Sequence, residues 1–186
     1  MYIYDDLVKR ADRPVQVGLI GAGKFGSMFL SQVPTTVGLE VKAIADLDPD
    51  CARQACRNVG WSDDLIKKTE FFDSTQNMID AGGTDVLVES TGNPLAGIAH
   101  AKMAIASKTH IVMVNVEADV LAGGILAKEA REAGIVYSMA YGDQPALMLV
   151  LVRDQCAPRL TEHRLCCRTP VSSLRRIRTK SFFWLA

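Results

Sequence analysis

The chain has no excess of charge: 21 Lys and Arg stand against 21 Asp and Glu. A polybasic surface of the kind that holds nucleic acid is therefore not implied by the net balance, and no nucleic acid is expected as a partner. Cysteine is sparse, five in 186 residues, and no two are spaced as Cys-x-x-Cys. That excludes a disulfide scaffold and the usual zinc-ligand spacings, so no metal is expected. No apolar run approaches the eighteen or so residues of a membrane span; residues 146–152 are the longest. The N-terminus is charged from Asp5 onward and lacks the apolar core of a secretory signal, which together with the cysteine usage points to the cytoplasm. Histidine occurs three times, at His100, His110 and His163, with no Ser/His/Asp or Cys/His spacing around it.

What is present is an ordinary globular composition, 48% hydrophobic and 23% charged, which excludes a predominantly disordered chain. The charge is unevenly spread. Residues 1–150 hold 13 basic against 19 acidic side chains, whereas residues 151–186 hold 8 against 2 and three of the five cysteines. Three segments are read separately: a helical arm expected over 1–13, a body over 14–146 and an aberrant basic tail over 147–186.

Strand and helix patterns alternate through the body. Strands are expected at 15–20, 41–45, 85–90, 110–114 and 135–138, with a short one at 70–72. Helices are expected at 24–33, 50–58 (capped by Asp48 before Pro49), 74–81, 94–106 and 119–133. The remainder of 59–73 shows no regular period. Alternation of this kind implies βαβ units, hence an α/β fold with a doubly wound parallel sheet, followed by an irregular C-terminal tail.

The first strand runs directly into Gly21-Ala22-Gly23-Lys24-Phe25-Gly26, a GxGxxG that opens the first helix. The first glycine suits a tight turn, the second lets a pyrophosphate approach the backbone, and the third allows helix and strand to pack closely. The helix N-terminus then offers N–H donors and a positive dipole end to phosphate. Asp46 ends the second strand twenty residues after Gly26, where an acid is expected on the adenosine ribose hydroxyls. The cofactor is expected to be NAD or NADP, with NAD favoured because the Asp46 carboxylate repels a 2′-phosphate. Arg53 is most simply a solvated helix charge, although it could meet such a phosphate.

Ligands gather at the carboxyl ends of parallel strands. Thr91, Gly92 and Asn93 follow the third long strand and are expected beside the cofactor, Asn93 also serving as a helix cap. Asn115 follows the next strand and suits the nicotinamide end or a substrate. Glu117, Asp119 and Asp143 are candidate substrate contacts, with Asp119 equally suited to capping a helix.

The segments VGLIGAGKFGSMFLSQ, AIADLDP, DVLVESTGNPLAGIAHA, HIVMVNVEADVLAG and VYSMAYGDQPAL resemble, in this order, the N-terminal part of homoserine dehydrogenase-like oxidoreductases, in particular the branch similar to 1-deoxyxylulose-5-phosphate reductoisomerase. The resemblance covers about four-fifths of the chain. It implies a Rossmann NAD(P)-binding domain and hydride transfer between nicotinamide and a small carbonyl or alcohol substrate. Homoserine itself is not favoured, because Val116 and Glu117 follow Asn115 where homoserine dehydrogenases carry a lysine nearby. The resemblance further implies a substrate-binding domain beyond GDQPAL and leaves a homo-oligomer open. Without such a domain the alternative is a non-catalytic dinucleotide-binding remnant or a redox-sensing module.

The tail does not continue the family pattern. The expectation is a reading frame disrupted near Leu147; the alternative is a basic partner-binding segment around Arg175, Arg176, Arg178 and Lys180. Sequencing of the locus is expected to return family-like sequence in another frame after Leu147, and an intact frame with none in the others overturns that expectation.

Overall fold

The computed structural model describes residues 12–140. Most of the expected N-terminal arm, the Asp143 candidate and the tail lie outside the described residues. Six strands form one parallel sheet: β1 (Val15–Ile20), β2 (Leu39–Ala45), β3 (Glu70–Phe72), β4 (Val86–Glu89), β5 (His110–Met113) and β6 (Tyr137–Met139). Their spatial order is β3-β2-β1-β4-β5-β6. The chain thus winds outward from β1 in one direction, returns, and winds outward in the other. The reversal falls between β1 and β4, and a crevice opens there at the carboxyl ends of the strands.

Six α-helices make the crossovers: α1 (Lys24–Gln32), α2 (Pro49–Asn58), α3 (Asp63–Lys68), α4 (Thr75–Ala81), α5 (Pro94–Ala106) and α6 (Val116–Ala133). The sheet buries both faces, as a parallel sheet must. On one face Val17, Leu19, Val41 and Ile44 pack against Leu30 of α1, Ala52 and Cys56 of α2, and Ile66 of α3. On the other, Ile20, Ala43, Leu87, Ile111 and Met113 meet Met78 of α4, Ala101 and Ala104 of α5, and Leu126 of α6. Small alanines on α5 allow it to lie close to the sheet, which matters for the site below. Burial also raises the Cys56 thiol to about 11, keeping it uncharged within the core.

The doubly wound α/β architecture is as the sequence implies, with local corrections. The irregular stretch contains α3, whose Ser62 hydroxyl accepts the Leu65 N–H and whose ends carry Asp63 and Asp64 first, Lys67 and Lys68 last. α6 begins at Val116 rather than at 119, because Asn115 is its cap: Asn115 Oδ1 accepts the Ala118 N–H at 3.1 Å. Asp119 therefore lies inside the first turn and caps nothing. β2 starts two residues earlier than expected, β6 starts two residues later, and a 3-10 turn (Val33–Thr35) follows α1.

Gly26 is demanded by packing. A methyl group on it would collide with the Gly21 carbonyl oxygen, a backbone atom that no rotamer change can move aside. Gly26→Ala is expected to lower stability by about 1–3 kcal/mol. Thermal or urea unfolding of the two proteins measures it, and equal midpoints would contradict the packing role.

Candidate functional site

The crevice is built where the ends of β1, β2 and β4 meet. Gly21 ends β1 with φ +90°, a left-handed conformation that favours glycine, and an added Cβ would lie 3.2 Å from the Thr91 backbone. The Gly21 N–H donates to Ala45 O at 2.8 Å, and the Ser90 hydroxyl donates to Ile20 O and Gly21 O at 3.0 and 2.8 Å. Three strand ends are thereby tied together directly beneath the glycine loop.

Every described α-helix except α1 has a side-chain cap. Asp48, Ser62, Ser74, Asn93 and Asn115 each accept N–H groups of the helix that follows, whereas Gly23, the cap residue of α1, supplies none. The first-turn donors of α1 are left without a side-chain acceptor at the crevice mouth. Gly23 itself is exposed, and a Cβ there would meet nothing within 4 Å. Lys24 and Phe25 are exposed beside it, and Gly26 is buried under it.

Asp46 follows β2 and faces this loop. One carboxylate oxygen accepts the Ala22 N–H at 2.7 Å and the other accepts the Asp48 N–H at 3.2 Å. Each oxygen has a further lone pair, so the brace on the loop leaves acceptor capacity for hydroxyl groups. Asp46, Gly21 and Gly23 line a cleft of about 250 Å³ together with Asp73, Thr91 and His100. A larger hollow of about 760 Å³ lies at the opposite, amino ends of the strands beside Val15, Asp85 and His110. It contains none of the loop donors, and His110 is already engaged there, accepting the Val136 N–H at Nδ1.

The other sequence candidates divide. Thr91 and Gly92 are exposed at the crevice. Asn93 Oδ1 caps α5 through the Leu95 and Ala96 N–H groups at 3.0 and 3.1 Å. Asn115 is 2% exposed; besides capping α6, its Nδ2 donates to Asn93 O at 2.8 Å. Its polar atoms thus already serve to join the starts of two helices. Glu117 is exposed, while Asp119 accepts the Tyr137 hydroxyl at 2.8 Å. Burial, the Asp119 hydrogen bond, and the charges of Asp119 and Glu89 all push the Tyr137 phenol upward, so it remains a donor. Arg53 pairs with Asp50 at 2.7 Å on the exposed surface and stacks over Phe71. Near the mouth, Asp48 is held below the ordinary carboxylate range by hydrogen bonds from Cys51 and Asp50, and the same contact pushes the Cys51 thiol up.

One pair was not legible as functional from residue types alone. Glu89, at the end of β4, is fully buried, and its Oε1 accepts from the Thr91 N–H and hydroxyl and lies 3.3 Å from His100 Nδ1. Its Oε2 is buried without a partner. The signal in the sequence is an acid closing an otherwise apolar strand that both faces bury: such a charge requires a partner.

No protein-family model matches the chain, and no curated protein does. Solved structures do. The WlbA dehydrogenase from Bordetella pertussis, determined with NADH and UDP-GlcNAcA, superposes with a TM-score of 0.63 at 23% identity over 79% of this chain and 40% of that one. Myo-inositol dehydrogenase from Lactobacillus casei, determined with NAD(H) and myo-inositol, gives 0.61 at 18% over 77% of this chain and 42% of that one. A homoserine dehydrogenase from Thiobacillus denitrificans gives 0.58 at 19% over 68% and 29%. The chain spans about two fifths or less of these proteins. At such identities the likeness shows the fold: a Rossmann-like α/β domain of the kind found in NAD-binding dehydrogenases.

Proposed function

We propose that residues 14–146 form the NAD(P)-binding domain of an oxidoreductase that moves hydride between a nicotinamide cofactor and a small carbonyl or alcohol substrate. The observation that carries this reading is the uncapped N-terminus of α1 at the strand-order reversal, with the Cβ position of Gly23 open and Asp46 across from it. Peptide N–H groups there suit a diphosphate, and the empty Cβ position leaves room for its close approach. The residues present fit the group: α1 and Gly23 would hold the diphosphate, and Asp46 the adenosine ribose hydroxyls. When bound, the nicotinamide supplies the hydride-accepting or hydride-donating carbon. The chain's own contribution is to bind and orient. Ser90 and Gly21 fix the loop, and Asn115 and Asn93 fix the starts of α5 and α6. Glu117, exposed at the start of α6, remains the accessible carboxylate of the two described substrate candidates.

NAD is favoured over NADP, because a carboxylate at the ribose position accepts hydroxyl protons and repels phosphate, and Arg53 is engaged elsewhere. The finer assignment, to the homoserine dehydrogenase-like group and its reductoisomerase-like branch, rests on the motifs quoted above. Substrate turnover is assigned to the protein family as a whole.

Calorimetric titration with NADH and NADPH tests the reading. The protein is expected to bind NADH more tightly than NADPH. Gly23→Val is expected to abolish binding while leaving the melting temperature within a degree or so, since nothing packs against that position. Asp46→Asn, which keeps an acceptor for the Ala22 N–H, is expected to weaken NADH by roughly tenfold and to narrow the gap to NADPH. Folded protein that binds neither dinucleotide sinks the reading; an unchanged ratio in Asp46→Asn removes Asp46 from the site.

A further inference from the structure

His100 lies two turns into α5, and its imidazole reaches the cleft that also holds Asp46, Asp73 and Thr91. The side chain is 17% exposed. Its Nδ1 faces Glu89 Oε1, which already accepts two groups from Thr91, the backbone N–H at 3.2 Å and the hydroxyl. An oxygen accepting two donors is itself an acceptor toward the third, so Nδ1 carries the hydrogen. In a neutral imidazole the other nitrogen, Nε2, is then a bare lone pair. Among the described residues no side chain or peptide group occupies Nε2. Glu89 is fixed in place: it is fully buried on the sheet face that α5 covers, and its second oxygen has no partner at all. A carboxylate kept at that cost is most simply explained by what its bonded oxygen does, which is to fix the hydrogen of His100.

The polar side chains lining this cleft from the other elements are Asp46, Asp73, Thr75, Thr91 and Ser90, the last with its hydroxyl hydrogen already given to Ile20 O and Gly21 O. With Nδ1–H given to Glu89, the neutral imidazole offers Nε2 to the cleft as an acceptor beside the two carboxylates. From this arrangement we infer that the cleft recognises an aminated purine, with His100 Nε2 accepting from the exocyclic amine and Glu89 acting as the positioning residue that sets the tautomer. The inference rests on the dinucleotide reading above and deepens it, by assigning the adenine end of the ligand to the cleft beside α5 and a residue to its specificity. A 6-keto purine presents an oxygen where the amine would be, and its lone pairs oppose Nε2. A site built to bond a donor rejects the analogue that lacks it.

The test compares NADH with its analogue carrying unsubstituted purine in place of adenine, in which only the exocyclic amine is replaced by hydrogen and N1 stays an acceptor. Binding of both is measured across neutral and alkaline pH, and the preference is read where it no longer changes with pH. The protein is expected to prefer NADH by about tenfold. His100→Phe keeps the ring volume and is expected to bring NADH down to the affinity of the analogue, leaving the analogue unchanged. Glu89→Gln keeps the acceptor oxygen and is expected to retain the preference, whereas Glu89→Leu frees the imidazole and is expected to lose it. A structural role alone would move both ligands together in every variant. Equal affinities in the unsubstituted protein, or an undiminished preference in His100→Phe, overturn the inference and leave the dinucleotide reading standing. Loss of both ligands from the unsubstituted protein overturns the dinucleotide reading itself.

Discussion

The carbonyl oxygen of Gly21 is the point on which the site depends. It follows the central strand β1, accepts the hydroxyl of Ser90, the residue after β4, and lies against the bare Cα of Gly26 in α1. A strand, a helix and a neighbouring loop can converge so closely only because two of the three partners carry no side chain there. The convergence aims the first turn of α1 across the mouth of the crevice. It also places the donors of that turn above the reversal in strand order, where a parallel sheet leaves its widest gap.

The glycines divide the work. Gly21 is required by backbone conformation and by its contact with Thr91, and Gly26 by helix packing. Gly23 is required by neither, since its surroundings are open. A residue that the fold does not need, in a loop the fold constrains so tightly, is best understood through what approaches it from outside. Asp46 has a double character: it braces Ala22 and still has lone pairs to offer. Asn93 and Asn115 lean toward architecture, their amides and carbonyls being consumed in starting α5 and α6 and in linking them.

Much of this was legible in the sequence because the relevant patterns are local. An apolar strand, three glycines and an amphipathic stripe lie within twenty residues, and Asp48-Pro49 marks the next helix start by itself. The signals for α3 were equally local, a serine cap followed by two acids and then two lysines, but its six residues give too little periodicity to stand out. The start of α6 was misplaced because Asn115 and Asp119 are both good caps and only the fold shows which one meets the N–H groups. The Glu89–His100 pair was hidden for a different reason. α5 is rich in alanine, so its sequence does not reveal which side faces the sheet, and no catalytic spacing around His100 marks it. Only the docking of α5 on β4 brings an imidazole to a carboxylate eleven residues earlier.

The brace from Asp46 to the Ala22 peptide has an evolutionary corollary. A replacement there that carries no acceptor withdraws a 2.7 Å contact from the glycine loop, whereas asparagine removes the charge and keeps the contact. Charge and brace are therefore separable at residue 46: a lineage that drops the acceptor must find a second residue to shore up the turn, and one that passes through asparagine need not.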